Sequence, residues 1–181
     1  KRIIMFGSST GESDPRKGAD LLHEALHVLS SRGLKGIQLV VFGQETPRQN
    51  DPIPYPVTYL GHLKEDARMI DAYNSADVML VPSRQDNLPQ TAVEAHACGV
   101  PVVAFKAGGL PDIVHHLASG FLAKPFDTSD LADGIEWVLE DEPRRAALGS
   151  SARELAVMNF SKSIIAKAYA DLYGQILLGT V

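Results

Sequence analysis

Residues 78–105 of the chain read VMLVPSRQDNLPQTAVEAHACGVPVVAF. Two short apolar runs, 78–81 and 102–105, flank a segment of small residues at about 89–98. A short apolar run beside a breaker such as Pro82 is typical of a buried strand. Two strands joined through a helix form a βα crossover unit, and the strands of such a unit run parallel. The stretch therefore predicts an α/β fold.

The same alternation of strand and helix continues on both sides of this stretch. Repeated βα units predict a doubly wound, mainly parallel, Rossmann-like sheet of about six strands, covered by helices on both faces, with extra C-terminal helices. No linker or internal repeat interrupts the pattern, so residues 1–181 are expected to form a single domain. The further strands are expected at 3–6, 37–42, 57–60 and 121–123, and the further helices at 19–32, 64–75, 111–117, 128–141, 143–158 and 161–178.

Composition and charge exclude several kinds of protein. The net charge of −5 gives no electrostatic reason to bind nucleic acid or an anionic membrane. The single cysteine, Cys98, excludes a disulfide framework and a thiolate metal cluster, and it suits a reducing cytosol. No apolar run approaches the roughly 18 residues of a membrane span, so we expect a cytoplasmic protein with at most peripheral contact at the inner membrane face. Because a strand begins at the first residues with no lead-in, we expect the natural protein to start upstream.

The loops that follow the predicted strands are the expected place for a binding site. Ligands of parallel α/β sheets bind at the carboxyl ends of the strands, where the loops to the next helices lie. Side chains on these loops are therefore the candidates for binding and catalysis. The loops are 7–17, 43–47, 61–63, 82–91 and 106–112.

Glu94 is the one formal charge in the segment from 87 to 105. An ionised carboxylate is costly to bury without partners. This side chain either faces solvent or caps a neighbouring loop, or it accepts hydrogen bonds from a ligand. We favour the ligand role, because the two hydroxyls of a ribose offer two donors to the two carboxylate oxygens.

Asp86 lies eight residues before Glu94, where the loop becomes a helix. A local role is available, since Asp favours helix N-caps, and Asn87 with Gln90 has the spacing of a capping pair. In either case a helix begins near Gln90 and Thr91. Free amides and the positive end of the helix dipole make such a start a site for an anion.

Two further positions suit a phosphate group. Gly108 and Gly109 follow the next strand, where backbone without a side chain can approach a phosphate closely, although a simple turn accounts for the pair nearly as well. Arg16 and Lys17 begin the first helix, where a basic pair opposes the helix dipole. The pair either faces a diphosphate or is a solvated charge pair. No Walker, dinucleotide-fingerprint or Asp-x-Asp motif is present, so we expect no cofactor and no metal ion.

The order of these motifs resembles glycosyltransferase family 4, whose donor domain carries an acid-x7-Glu signature, a small-residue helix and a Gly-x-Pro-Val-Val strand. Here the signature runs from Asp86 to Glu94 and the strand motif from Gly99 to Val103. The resemblance covers nearly all 181 residues. The further matches are Arg16-Lys17-Gly18, Tyr59-Leu-Gly-His-Leu63, Ala76-Asp-Val78, Val81-Pro-Ser83, Gly108-Gly-Leu-Pro-Asp-Ile-Val114 and Ser119-Gly-Phe-Leu122.

The resemblance implies roles for the residues that would hold the sugar and the nucleoside. Glu94 would bind the ribose of the donor, and Leu63 would lie beside the nucleobase. Asp86 would lie against the transferred sugar as the catalytic residue, positioning its hydroxyls or stabilising positive charge near the anomeric carbon. It stands where many family members have Glu.

The resemblance also implies how the diphosphate would be held. The amides of Gln90 and Thr91 and the ammonium of Lys17 match the family's diphosphate-binding groups. Many relatives place an arginine after the first-strand glycine, where this chain has Ser8. Arg16 is the residue that could supply the missing charge.

The implied activity belongs to the GT-B glycosyltransferases. A hexose would pass from a nucleotide-diphosphate sugar to a saccharide or lipid-linked saccharide acceptor, with retention of configuration and without metal, as in polysaccharide biosynthesis. The acceptor would bind an N-terminal domain that this chain lacks, so the chain by itself is expected to bind donor without turnover. Two alternatives stay open: a GT-B-shaped nucleotide-sugar epimerase, which the acid-x7-Glu spacing disfavours, and a non-enzymatic ligand-binding or signalling module, which leaves Glu94 and Lys17 without a role.

Overall fold

The computed structural model describes residues 1–7, 14–45 and 52–179. The predicted loops 7–17 and 43–47 therefore fall partly outside the described residues, and Ser8 lies among those not described. The strands are β1 (Arg2–Gly7), β2 (Ile37–Phe42), β3 (Val57–Tyr59), β4 (Val78–Val81), β5 (Val102–Phe105) and β6 (Gly120–Ala123). The helices are α1 (Ala19–Ser31), α2 (Asp66–Asn74), α3 (Gln90–Ala97), α4 (Leu110–Ile113), α5 (Thr128–Glu140), α6 (Glu142–Phe160) and α7 (Lys162–Leu178).

The six strands form one parallel sheet in the order β3-β2-β1-β4-β5-β6. From β1 the chain moves outward through β2 to β3, then returns to the other side of β1 and continues to β6. The strand order reverses between β1 and β4, and at such a switch point the loops run apart and leave a crevice at the carboxyl ends of the strands. The predicted doubly wound α/β fold is confirmed.

Two apolar layers enclose the sheet. Alternate strand residues face opposite ways: Ile4 and Phe6 of β1 pack in the layer with α1 and α5, whereas Met5 packs in the layer with α2, α3 and α4. These strand residues are essentially inaccessible to water. A sheet covered on both faces explains why the strands appear in the sequence as continuous apolar runs rather than as alternating ones.

The helix predicted at 111–117 is shorter than expected. It ends at Ile113, because Val114 is extended and Leu117 adopts a left-handed backbone with φ of 64°. The hydroxyl of Ser119 accepts a hydrogen bond from the His115 N–H at 2.9 Å, which closes this segment as a turn before β6. Residues 115–118 of this turn are exposed.

The two C-terminal helices differ in how they are held. A Cβ atom at Gly149 of α6 would lie 2.2 Å from the carbonyl oxygen of Gly99, just after α3, so the two backbones meet directly. Helix α7, in contrast, buries none of its residues and leaves apolar side chains exposed. No helix in the described ranges is both long enough and apolar enough to cross a membrane.

Candidate functional site

A cleft opens at the carboxyl ends of β1, β2 and β4, over the switch point of the sheet. Its volume of about 500 Å³ is typical of a small-molecule site. The ends of these strands and the described residues directly after them line it, and the first turn of α3 forms part of its wall. Six residues that the sequence predicts for the site line the cleft: Lys17, Leu63, Asp86, Gln90, Thr91 and Glu94.

Lys17 enters the cleft from a single 3₁₀ turn, Pro15–Lys17, that precedes α1. The turn ends at Gly18, whose φ of 69° is left-handed. A Cβ atom at Gly18 would lie 2.0 Å from the carbonyl oxygen of Pro82, so only glycine lets the turn approach the loop after β4 this closely. The Lys17 ammonium then lies 2.5 Å from the Asp86 carboxylate (Nζ to Oδ2), with both side chains largely shielded from water.

Arg84 fastens the same turn to the loop after β4. Its backbone N–H donates to the carbonyl of Arg16 at 2.7 Å, and its guanidinium donates to both carboxylate oxygens of Asp20 at 2.7 and 2.6 Å. The hydrogen bond from Arg84 is the main cause that lowers the pKa of Asp20. We call this contact of Arg84 with Asp20 and the turn the Arg84 clamp. It could not be predicted from the sequence, because nothing in a local pattern indicates a contact between two charged residues 64 positions apart.

Helix α3 begins near Gln90 as the sequence predicts, but its capping differs from the prediction. The helix begins at Gln90 with Pro89 as its N-cap residue, and in the described part of the chain no side chain caps it. The predicted capping pair of Asn87 and Gln90 is therefore wrong: Asn87 lies two residues before the N-cap position, out of the place from which a side chain caps. The amides of Gln90 and Thr91 thus begin the helix at the cleft with the positive end of the helix dipole uncapped.

Gly108 and Gly109 do not line the cleft as the sequence suggested, but lie behind its wall. The Gly109 N–H donates to the carbonyl of Asp86 at 2.9 Å. A Cβ atom would lie 2.3 Å from that same oxygen at Gly108, and 1.7 Å from the carbonyl oxygen of Asn87 at Gly109. The two glycines therefore let the loop after β5 press against the backbone that carries Asp86, and their approach to a phosphate stays a prediction.

Arg16 also lies off the cleft. Its guanidinium pairs with the Asp14 carboxylate at 2.7 Å, and 68% of its side chain is exposed. The hydrogen bond between the two raises the pKa of Arg16 and lowers that of Asp14. The Arg16 guanidinium is thus paired within its own turn at the surface, and its proposed replacement of an arginine at Ser8 stays a prediction.

The remaining wall of the cleft is more apolar. Leu63, after β3, and Met69, in α2, contribute side chains to it. Glu94 lies one helical turn beyond Gln90 on α3, with its carboxylate open to the cleft and one oxygen, Oε2, accepting a hydrogen bond from the Tyr73 hydroxyl at 2.9 Å. Within the described residues, no group of three or more His, Cys, Asp or Glu side chains could hold a metal ion.

Comparison with known proteins identifies the family. Residues 8–155 match the model of the family described as glycosyl transferases group 1, so the chain belongs to that family. A D-inositol 3-phosphate glycosyltransferase of Xylanimonas cellulosilytica is 34% identical over 96% of this chain, which spans 42% of that relative. The chain thus corresponds to less than half of that curated protein.

Solved structures share the fold. Sucrose-phosphate synthase from Thermosynechococcus elongatus superposes with a TM-score of 0.79 and 27% identity, covering 99% of this chain and 46% of the other. HepE of Anabaena, solved in complex with UDP-glucose, superposes with a TM-score of 0.77 and 24% identity, covering 96% of this chain and 48% of the other. The whole of this fold accordingly occurs as one half of a larger protein.

Proposed function

We propose that this chain is the donor-binding half of a GT-B glycosyltransferase that transfers a hexose from a nucleotide-diphosphate sugar, with retention and without a metal ion. One observation carries the proposal. A cation (Lys17), an uncapped helix start (Gln90) and a carboxylate (Glu94) face one cleft at the switch point of the sheet. The cation and the helix start suit the negative charge of a diphosphate, and the carboxylate suits the two hydroxyls of a ribose.

The diphosphate is the part of the donor that becomes more negative as the bond to the sugar breaks. Fixed donors aimed at developing charge lower the barrier, because they need no reorganisation during the reaction. The Lys17 ammonium and the amides at the start of α3 are such donors. They would supply the electrostatic stabilisation that a metal ion supplies in other transferases.

The geometry of α3 suggests where the ribose of the donor would bind. A helix rises about 1.5 Å per residue, so Glu94 lies roughly 6 Å along the axis from Gln90. That is a distance comparable to the separation of a diphosphate from the hydroxyls of the ribose attached to it. Leu63 and Met69 then offer apolar surface to the base.

Asp86 would face the transferred sugar. In the absence of donor its carboxylate is paired with Lys17 at 2.5 Å. A bound diphosphate would compete for the same ammonium, and the Asp86 carboxylate would then be free to accept hydrogen bonds from sugar hydroxyls or to stabilise positive charge near the anomeric carbon. The pairing also keeps Lys17 extended toward the cleft.

The partner for acceptor binding would be an N-terminal domain of the same protein. The chain spans 42% of the curated relative and 46% of the sucrose-phosphate synthase chain described above. Helix α7 presents Ile165, Tyr169, Leu172 and Ile176 on one face, each between 38% and 57% exposed. Such a face suits contact with a further domain, and that domain would bring the acceptor, a saccharide or lipid-linked saccharide, to the donor sugar in the cleft. The expected location is the cytoplasm, at most peripheral to the inner membrane face.

Titration calorimetry of the chain with UDP, GDP and ADP, each with and without EDTA, tests the proposal. We expect one of the three to bind, with the same affinity after chelation; the UDP-glucose complex of HepE makes UDP the first candidate. Binding that disappears with EDTA contradicts metal independence. No binding of any of the three favours the signalling module, and interconversion of a nucleotide sugar by the protein favours the epimerase.

A further inference from the structure

Tyr73 is a buried residue with a polar end directed at the candidate site. It lies near the C-terminal end of α2 and is only 1% exposed. Its ring packs edge-on against Phe42, with 5.7 Å between ring centroids and 76° between ring planes. Phe42 itself lines the cleft, so the phenol lies just beneath the cleft's surface. Nothing in the sequence pattern singled this tyrosine out, because an aromatic residue at this spacing fits an ordinary core position.

The hydroxyl of Tyr73 donates to Oε2 of Glu94 at 2.9 Å. Burial is the main cause that raises the pKa of Tyr73 well above its usual range, and the Glu94 carboxylate adds to the effect. The phenol therefore stays a neutral donor wherever the protein is folded. A carboxylate has about four acceptor positions on its two oxygens, so one donor from Tyr73 leaves enough for the two hydroxyls of a ribose.

The arrangement joins a rigid residue to a flexible one. A buried aromatic ring keeps one rotamer, whereas an exposed glutamate samples many and loses about 1–2 kcal/mol of side-chain entropy when it is fixed. A hydrogen bond from the fixed ring selects the Glu94 rotamer that faces the cleft before any ligand arrives. Binding then costs less, as it does for any preorganised site.

We infer that Tyr73 is a positioning residue for nucleoside binding, which holds the Glu94 carboxylate in the orientation that accepts hydrogen bonds from the ribose hydroxyls of the donor. The inference rests on the proposed function, because it requires that Glu94 meet a ribose. Tyr73 itself would not touch the ligand and would act on binding through Glu94. It also predicts that α2 contributes to discrimination between ribo- and deoxyribonucleotides.

The experiment compares UDP with 2′-deoxy-UDP, or the matching pair if GDP or ADP binds instead. Affinities of the wild type and of Tyr73→Phe are measured by calorimetry, together with the Tm of each. The wild type should prefer the ribonucleotide. In Tyr73→Phe the affinity for UDP should fall about three- to tenfold, the size expected if the order of the Glu94 side chain is lost, while affinity for 2′-deoxy-UDP changes less. A purely structural tyrosine would lower both affinities alike, or neither, and that outcome overturns the inference.

A double substitution separates this inference from the proposed function. With Glu94→Ala as background, Tyr73→Phe should cost little further affinity, since no side-chain acceptor is left to orient. If Glu94→Gln binds UDP as well as the wild type does, the ribose assignment fails and the inference with it. If Glu94→Gln weakens binding but Tyr73→Phe does not, only the inference fails.

A matched control tests whether removal of any tyrosine hydroxyl changes the preference for the ribonucleotide. Tyr55→Phe removes a hydroxyl that donates to the carbonyl of Leu34 at 3.1 Å, in a half-buried position on the other face of the sheet. This variant should change Tm but leave the preference for ribonucleotide intact. A preference altered equally in both variants contradicts a specific role for Tyr73.

Discussion

The two sides of the cleft are built by different means. The side that we propose for the diphosphate, called the diphosphate side, comprises the Lys17 turn, the Asp86 loop and the loop of Gly108-Gly109 behind them, and it depends on close approach of backbone to backbone and on ion pairs between loops. The side that we propose for the nucleoside, called the nucleoside side, is formed by α2 and by α3 beyond its first turn, and it depends on side chains that pack in the core, such as Tyr73 beneath Glu94. Small changes of backbone should therefore damage the first side, whereas the second should respond to changes in buried side chains.

The largest effect is expected from Gly18→Ala. The added Cβ would lie 2.0 Å from the Pro82 carbonyl, in a backbone conformation with φ of 69°. We expect a loss of more than about 3 kcal/mol in the free energy of unfolding, since a clash with backbone is added to the strain of a left-handed alanine. Denaturant unfolding measures it, and affinity for the diphosphate should fall with it.

Gly33→Ala is the matched control for Gly18→Ala. Its φ of 81° is also left-handed, but a Cβ there meets nothing within 4 Å. The variant should lose only about 1 kcal/mol, the cost of the backbone conformation. Equal losses in the two variants would show that the contact between the Lys17 turn and the loop after β4 does not matter.

The second prediction concerns the effect of acid on stability through a buried histidine in α3. His96 in α3 is completely buried, and burial lowers its pKa to about 4 from an ordinary value of 6.5. A histidine that must stay neutral in the folded state binds more protons when unfolded, so its contribution to stability is full above pH 6.5 and falls as pH drops from 6.5 to about 4. The loss amounts to at most about 3 kcal/mol and is constant below that range.

Denaturant unfolding at a series of pH values, on the wild type and on His96→Leu, measures this contribution. The two stability curves should converge or cross as pH falls through the range, because leucine cannot take up a proton. Parallel curves from pH 7 to pH 4 would contradict a buried neutral histidine.

Much of this fold could be predicted from the sequence, because its strands are buried on both faces. Apolar runs such as Ile37–Phe42 bounded by glycine leave few alternatives to a parallel sheet. The six cleft residues were also predicted: Leu63 from the family resemblance, Glu94 as the one charge in an apolar segment, and the others from their place after a strand or at a helix start. What could not be predicted is the long-range contacts: Arg84 with Asp20 and Tyr73 with Glu94 are chosen by the fold and not by spacing along the chain.

The errors have the same origin. Asn87 and Gln90 have the spacing of a capping pair, yet Pro89 is the N-cap residue, so α3 starts two positions later than that pattern requires. The approach of Gly108 and Gly109 to a phosphate stays a prediction, and the close approach that the structure describes for them is to the backbone of Asp86 and Asn87. A local sequence pattern indicates which interaction a residue can make, but the partner in that interaction is determined by the tertiary fold.

The third prediction concerns charge on the diphosphate side. Lys17→Gln keeps the length of the side chain but removes the ammonium that faces the cleft. Charge-assisted hydrogen bonds contribute about 1.5–3 kcal/mol, so affinity for the nucleoside diphosphate should fall about tenfold to a hundredfold. Arg16→Gln, which alters an exposed cation of the same turn, should leave affinity within about twofold of the wild type. Comparable losses in the two variants would mean that general positive charge, and not Lys17, attracts the diphosphate.

The smallest effect is expected from Arg84→Gln. The ion pair with Asp20 is partly exposed, with 33% and 49% of the two side chains accessible, so its loss should cost less than about 1 kcal/mol of stability. The same guanidinium, however, also donates to the carbonyl of Pro15 at 3.1 Å and so holds the turn that carries Lys17. We therefore expect affinity for the diphosphate to fall about two- to fivefold, a small loss of preorganisation.

Arg32→Gln is the control for this last prediction. Arg32 pairs with Asp133 at 2.6 Å and with Glu136 at 3.2 Å, its side chain is 31% exposed, and it lies between α1 and α5, away from the cleft. It should match Arg84→Gln in its effect on stability but leave calorimetric affinity unchanged. If the two arginines behave alike in both measurements, the clamp does not position Lys17, and the diphosphate side of the cleft depends on its glycine contacts alone.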